Sequence, residues 1–273
     1  MTRIASAFAR AADQNRAAFI ASLTAGDPDA DATVRLAGAL SRAGTDVLEL
    51  GVPFSDPIAD GPVLQRAASR ALSAGTTLAG VFAIARRIRA ETDLALVLFS
   101  YVNPILRFDA GSPGRAARAA KEAGLDGVLL TDVPPEESAA VHPPIRQAGL
   151  DTILLVSPTS PARRMHDAAR LSSGFLYVVS RPGTTGVRDR LPDDLPRTVR
   201  RARNAARALP VAIGFGISTP DAARAAARLA DGVVVGSALV QAAETGKDVR
   251  DAERNVERLA RSLVDACRRD DEA

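Results

Sequence analysis

Four segments of the chain repeat one pattern: RAGTDVLELGVP (42–53), EAGLDGVLLTDVP (122–134), QAGLDTILLVSP (147–158) and RLADGVVVGSA (228–238). Each begins where an Ala/Arg-rich helical pattern ends. In the first three a glycine follows, suited to a left-handed helix C-cap. A polar turn and a short run of β-branched or leucine residues come next, closed by Pro or Gly. About five apolar residues without alternation read as a strand buried on both faces, the environment of a parallel sheet. FIASLT (19–24), LALVLFSY (94–101), GFLYVVS (174–180) and PVAIGF (210–215) bring the strands to eight. Helical segments are expected at 30–43, 62–90, 113–123, 136–148, 161–171, 192–208, 219–230 and 237–266. This alternation predicts βαβ units, and eight of them predict a closed α/β barrel, the (β/α)8 TIM barrel, filling residues 1–273 as a single domain. A doubly wound open sheet is the alternative, but no Gly-rich dinucleotide turn follows the first strand. Ahead of the repeat, MTRIASAFARAADQNRAAF reads as an extra N-terminal amphipathic helix with Ile4, Phe8 and Ala12 on one side.

Composition narrows the function classes. Thirty-five cations against 32 anions give a net charge of only +3, the arginines are spread over many helices, and aromatics are 4%. Nucleic-acid binding calls for clustered cations interleaved with stacking rings. The single cysteine, Cys267, allows no internal disulfide and suits a reducing, cytoplasmic setting. No apolar run approaches the ~20 residues of a membrane span. The Arg- and Ala-rich start shares its composition with organellar presequences but lacks the apolar core of a signal peptide.

A barrel carries its active site at the C-terminal ends of its strands. Those positions hold Thr24, Gly26, Asp27, Glu49, Tyr101, Asn103, Asp132, Ser157, Ser180, Arg181, Gly214, Phe215, Gly216, Gly236 and Ser237. Both lysines, Lys121 and Lys247, lie elsewhere, which argues against a Schiff base or covalently held PLP. Both histidines, His142 and His166, fall in helical segments as surface or packing residues. That leaves no ligands for a His-based zinc site and no base for Ser-His or Cys-His pairs. A carboxylate-held Mg²⁺ stays open on residue types alone, with nothing calling for it.

Carboxylate acid–base chemistry remains. A buried strand that ends in Glu49 needs a reason, and desolvation there would raise the pKa towards neutrality. Asp56 and Asp60 follow on a loop restrained by prolines 53, 57 and 62. Asp60, in Ala-Asp-Gly-Pro, is either a turn residue or a second working carboxylate. In the last third, SRPGTTG (180–186), GFGIS (214–218) and GSA (236–238) follow three successive strands. Such glycines either turn the chain or let backbone N–H groups and Ser237 approach a phosphate, whose usual barrel site is loops 7 and 8. The 180–190 stretch, with Arg181 and Arg188, reads as a lid or as a plain surface loop.

ELGVPFSDPIADGP (49–62) closely resembles the signature of the tryptophan synthase alpha chain family. LTAGDPD (23–29), YVNPI (101–105), TDVPPEES (131–138), SRPGTTG, IGFGIS and VVVGSA follow in the family's order and spacing. The resemblance implies a lyase of tryptophan biosynthesis that cleaves indole-3-glycerol phosphate to indole and glyceraldehyde 3-phosphate. It assigns Glu49 and Asp60 as catalytic, and Gly186, Gly216, Gly236 and Ser237 to the phosphate. Tyr177 falls beside the reacting glycerol carbon, and Thr185 of the lid contacts the catalytic aspartate. Phe99, Tyr101 and Phe215 are left to wall the indole ring. It implies an α2β2 heterotetramer in which PLP belongs to the beta chain and none to this one, with the loops 53–62 and 180–190 facing that partner. Three positions depart from the family: Ser22 replaces an aromatic beside the indole, losing about 1–2 kcal/mol of apolar contact, and Pro182 and Thr184 are unusual in the lid. The competing readings are another phosphate-binding barrel enzyme, a non-catalytic barrel subunit that activates a beta chain, and a lyase that releases indole without a partner.

Overall fold

The apolar runs form eight parallel strands: β1 (Ala18–Thr24), β2 (Val47–Gly51), β3 (Ala95–Ser100), β4 (Gly127–Leu130), β5 (Asp151–Val156), β6 (Leu176–Val179), β7 (Val211–Gly214) and β8 (Gly232–Val235). In the computed structural model, which describes residues 1–108, 112–180 and 191–269, they pair in sequence order, and β8 returns to β1 to close the barrel. The helices are α1 (Arg3–Asp13), α2 (Ala30–Arg42), α3 (Pro62–Ser73), α4 (Leu78–Glu91), α5 (Val102–Arg107), α6 (Pro113–Glu122), α7 (His142–Gln147), α8 (Ala162–Leu171), α9 (Leu195–Ala206), α10 (Pro220–Leu229), α11 (Ser237–Glu244) and α12 (Val249–Ala266).

Alternation along each strand separates two cores. Leu48 and Leu50 of β2 face the helices, where they join Leu40, Phe82, Ile88 and Leu239. Val47, one residue out of phase, faces the barrel interior with Ile20, Val97, Ile153 and Val234. Helix α1 belongs to the inner core through Ile4, Ala7, Phe8 and Ala11. Its buried stripe ends at Ala11; Ala12, expected on that face, is exposed, because 3.6 residues per turn carries position 12 past the stripe. Gly127 and Gly232, which open β4 and β8, make room for this plug. A Cβ at Gly127 would sit 2.8 Å from Ile4 Cδ1, and one at Gly232 would sit 2.9 Å from Phe8 Cε1.

The repeat's glycines cap helices as expected. Gly44, Gly124 and Gly149 have φ of +94°, +86° and +77°. At each, two backbone bonds close the helix end, as in Gly44 N–H to Ser41 and Thr45 N–H to Leu40. In three of the four repeats the aspartate does more than turn the chain. Asp46 donates its N–H to the Phe19 carbonyl at 3.0 Å, while its carboxylate accepts the Phe19 N–H at 2.8 Å. Asp126 does the same with Leu96 of β3, and Asp231 with Val211 of β7. Each carboxylate also holds an arginine: Arg16, Arg89 and Arg203 respectively.

Asp46 is buried and Arg16 largely so, with side chains 6% and 11% exposed. Asp46→Ala therefore strands a guanidinium and an N–H of β1 in the interior, which costs about 3 kcal/mol. We predict a melting temperature lower by about 6–12 °C, with activity at low temperature retained because the pair lies at the opposite end from the strand C-termini. A calorimetric scan and an activity assay on the same sample check both halves.

Three expected helices are divided. The segment 62–90 is α3 and α4, bent by 98°. Gly75, at φ +81°, ends the first, and the Thr77 hydroxyl caps the second by accepting the Gly80 N–H. The segment 237–266 is α11 and α12, the latter capped by the Asp248 carboxylate on the Asp251 N–H at 2.8 Å. The segment 136–148 is a 3-10 turn, Pro135–Ala140, followed by α7. Among the described residues no single helix is long and apolar enough to cross a membrane; α3 and α4 reach that composition only as the bent pair.

Candidate active site

Glu49 is the third residue of β2, in register with Ser22 of β1 and Val97 of β3. It has the phase of Val47 and so points into the barrel. There it is 1% exposed, and among the described residues its buried Oε1 has no hydrogen-bond partner. Burial pushes the pKa up to about 8, against the smaller opposing effect of Ser22. At pH 7 the group is a carboxylic acid, able to give a proton.

Phe99, Tyr177, Phe215, Gly216, Gly236 and Ser237 line the same cavity. Tyr177 is buried from β6, its ring edge-on to Phe215 at 5.9 Å. Burial and the neighbouring Glu49 hold its phenol well above the usual range, hence neutral. Position 214 admits no side chain, since a Cβ there would lie 2.0 Å from the Tyr177 hydroxyl. Phe215 has φ +74°, a conformation unusual for a bulky residue and found at ligand-clamping sites. Its carbonyl accepts the Ser180 hydroxyl at 2.5 Å. Gly216, at φ +82°, turns the chain back. Helix α11 begins at Ser237 with Gly236 as its N-cap and, among the described residues, no side-chain cap bond, so the N–H groups of its first two residues are open to an anion.

Asp60 lines an adjoining cavity with Phe54, Leu64, Phe99 and Tyr101. Burial pushes its pKa up to about 6, moderated by the Tyr101 hydroxyl, which donates to Oδ2 at 3.4 Å. That hydroxyl also accepts the Ala59 N–H at 3.0 Å, so Tyr101 tethers the loop after β2. Ser22, Leu64 and Phe99 border both cavities, which measure only about 40 and 30 Å³. Larger hollows, about 650 Å³ between α7 and α8 and about 280 Å³ beside Asp27 and Arg70, lack Glu49 and Asp60. Chemistry, rather than volume, locates the site.

Residues 8–268 match the family model described as tryptophan synthase alpha chain. The chain belongs to the tryptophan synthase alpha chain family. It is similar to the tryptophan synthase alpha chain of Solibacter usitatus, 48% identical over 96% of this chain and 97% of the relative, and to that of Opitutus terrae, 50% identical over 88% and 89%. Among solved structures it resembles the tryptophan synthase alpha chain from Legionella pneumophila, with TM-score 0.89, 33% identity and full coverage of both chains. It also resembles a chain of Mycobacterium tuberculosis tryptophan synthase, with TM-score 0.88, 33% identity and coverage of 98% and 99%.

The alpha-chain fold sorts the strand-end residues read from sequence. Glu49, Tyr177, Phe215, Gly216, Gly236 and Ser237 share one cavity, with Asp60 and Tyr101 at the next. Asp132 lies apart and caps α5 by accepting the Val102 N–H at 2.8 Å. Ser157 closes a turn with Thr159 and Ser160, and Asp27 pairs with Arg70. Thr185 and Gly186 lie outside the described residues, as do Arg181, Pro182, Thr184 and Arg188. Sequence reasoning gave no role to Ser180, whose bond to the Phe215 carbonyl joins strand ends 35 residues apart. Among the described residues no cluster of three or more His, Cys, Asp or Glu could hold a metal.

Proposed function

We propose that Glu49 and Asp60 perform the alpha-chain reaction as two carboxylates held in different charge states. The reaction is the retro-aldol cleavage of indole-3-glycerol phosphate to indole and glyceraldehyde 3-phosphate in tryptophan biosynthesis, and the chain is a lyase. The supporting observation is the Glu49 carboxyl, buried, with one free oxygen, facing the cavity that also receives the N-terminus of α11.

The free N–H groups of α11, with Gly216, Gly236 and the Ser237 hydroxyl, receive the phosphate. The family resemblance assigns Gly186 to the phosphate as well, and Thr185 to contact with the catalytic aspartate. Phe99, Phe215 and Tyr101 wall the indole ring, placing its N–H towards Asp60. The protonated Glu49 gives its proton to indole C3, forming an indoleninium. The positive charge reaches the ring nitrogen, where the Asp60 carboxylate stabilises it. Glu49, now a carboxylate, takes the proton of the hydroxyl on the adjacent glycerol carbon. The C–C bond breaks, its electron pair enters the ring, the oxygen closes to an aldehyde, and Glu49 is again an acid. The neutral Tyr177 phenol lies beside that carbon.

An alpha chain implies a beta-chain partner. The α2β2 stoichiometry, PLP held only by that partner, one catalytic domain over the whole chain and a cytoplasmic location are parts of the same proposal. Ile58, 80% exposed on the loop after β2, gives the partner an apolar contact beside the site. Indole release from indole-3-glycerol phosphate, measured for the purified chain alone and with a cognate beta chain, tests the reading. Slow release that rises sharply with the partner is expected. Fast release alone would point to an independent lyase, and none under either condition, with the protein folded, would refute the assignment.

A further inference from the structure

We propose that Ser180 is a positioning residue for the cleavage: its hydroxyl fixes the peptide unit between Phe215 and Gly216, two residues that line the cavity of Glu49. The inference rests on the reading that this cavity receives the substrate. Strands β6 and β7 pair as far as Val179 and Gly214. One residue further on, Ser180 holds two successive carbonyls of the partner strand's end. Its N–H donates to Gly214 at 3.0 Å and its hydroxyl to Phe215 at 2.5 Å. Ser180 is 1% exposed, so water does not compete for this grip.

The hydroxyl acts where the chain leaves the strand. Phe215 has φ +74° and Gly216 follows at +82°. A residue with a Cβ resists that region, so a bond from β6 stabilises a turn the backbone would otherwise avoid. A peptide unit is planar and trans, with its C=O and N–H pointing opposite ways. Anchoring the Phe215 carbonyl on Ser180 therefore sets the direction of the Gly216 N–H. It also fixes the backbone from which the Phe215 ring projects, edge-on to Tyr177 at 5.9 Å. Released from Ser180, the unit can rotate and carry both groups with it.

Neither positioned residue reacts. Phe215 belongs to the indole wall and Gly216 to the phosphate, contacts made to the substrate and the transition state alike. Their loss raises KM and leaves kcat little changed. A serine that only sealed the end of the β6–β7 pair would lower stability and leave the kinetics as they are. The peptide unit can also be observed directly. Of the 8 phenylalanines only Phe215 precedes a glycine, so isotope labels on phenylalanine carbonyl carbons and glycine nitrogens give a single NMR correlation, from this unit alone.

Ser180→Ala and Ser180→Thr, assayed with the cognate beta chain, decide the matter. For Ser180→Ala we expect KM to rise about 10-fold and kcat to stay within about 3-fold. Ser180→Thr, which restores the hydroxyl, should bring KM back to within about 2-fold of wild type. In the substrate-free chain the single correlation should move in Ser180→Ala and stay near its wild-type position in Ser180→Thr. Calorimetric titration with inorganic phosphate should show binding weakened about 10-fold by the alanine. Unchanged KM and unchanged phosphate affinity in a folded Ser180→Ala protein would overturn the proposal, even if the correlation moves or the melting temperature falls. A loss confined to kcat would overturn it as well. Absence of cleavage by the wild type would refute the proposed function, while the phosphate titration and the correlation would still decide the role of Ser180. A wild type that neither cleaves nor binds phosphate would refute both.

Discussion

Glu49→Gln is expected to abolish indole release and, at the same time, to make the fold more stable at neutral pH. The catalytic half follows from the two proton transfers assigned to one carboxyl. An amide neither gives nor takes a proton at these pH values, and a positioned acid–base group is worth about 10²–10⁴-fold. Because both transfers are lost, a decrease of at least about 10³-fold is expected. The stability half follows from burial. The folded-state pKa is about 8 against a reference of 4.5. Below pH 4.5 the carboxyl is protonated in both states and contributes no difference. Between pH 4.5 and 8 the unfolded chain ionises while the folded chain holds its proton, so stability declines with rising pH and levels off above 8. At about 1.4 kcal/mol per pKa unit the handicap at pH 8 is of order 4 kcal/mol. Glutamine has nearly the same shape and none of this dependence. Melting temperatures of the two proteins should agree near pH 4.5 and separate by about 10 °C at pH 8, with glutamine higher. A variant that is less stable at pH 8, or a difference that does not change with pH, would mean that burial does not raise the pKa of Glu49.

The barrel was legible in the sequence because its determinants are local. A five-residue apolar run identifies a doubly buried strand wherever it occurs, and a glycine after an Ala/Arg-rich stretch identifies a helix end. Gly44, Gly124 and Gly149 bear this out with positive φ at three C-caps. The misread segments carried local signals overridden by neighbours. Ala-Gly-Thr-Thr at 74–77 contains a terminator and an N-cap, yet it sits inside a stretch rich in helix formers and was absorbed into one long helix. Asp248, which caps α12, was absorbed in the same way.

Other features were beyond reach for a different reason. The aspartates that open β2, β4 and β8 read only as polar turn residues. Their partners, the N–H groups of Phe19, Leu96 and Val211, lie 20 to 30 residues earlier in the chain. Gly127 and Gly232 yield space to a helix more than a hundred residues upstream. Glu49 was conspicuous because a carboxylate in an apolar strand contradicts its surroundings. Ser22 contradicts nothing locally. Its place beside Glu49 exists only because β1 and β2 pair in one register, and a shift of one residue would turn it out of the barrel.

Asp60→Asn should remove the acidic limb of the rate profile and lower indole release by about 10²–10³-fold, with KM changed little. With a pKa near 6, Asp60 is mostly ionised at pH 7 while Glu49, near 8, is mostly protonated. Activity needs both states together, so the wild-type profile rises through about pH 6 and falls through about pH 8. Asparagine keeps the shape and an oxygen for the Tyr101 hydroxyl, so the loop after β2 stays tethered through Tyr101 and the Ala59 N–H. What disappears is the negative charge facing the ring nitrogen, and it is needed only as the indoleninium forms. The loss therefore falls on kcat. Tyr101→Phe provides the contrast, because it keeps the charge and removes the tether. Its hydroxyl lowers the Asp60 pKa, so the acidic limb should move up rather than vanish, with a smaller fall in rate. Steady-state kinetics of the three proteins from pH 5 to 9 separate the cases. An Asp60→Asn enzyme within tenfold of wild type, or one that keeps the acidic limb, would assign that limb to another group and reduce Asp60 to the turn residue its Ala-Asp-Gly-Pro setting allows.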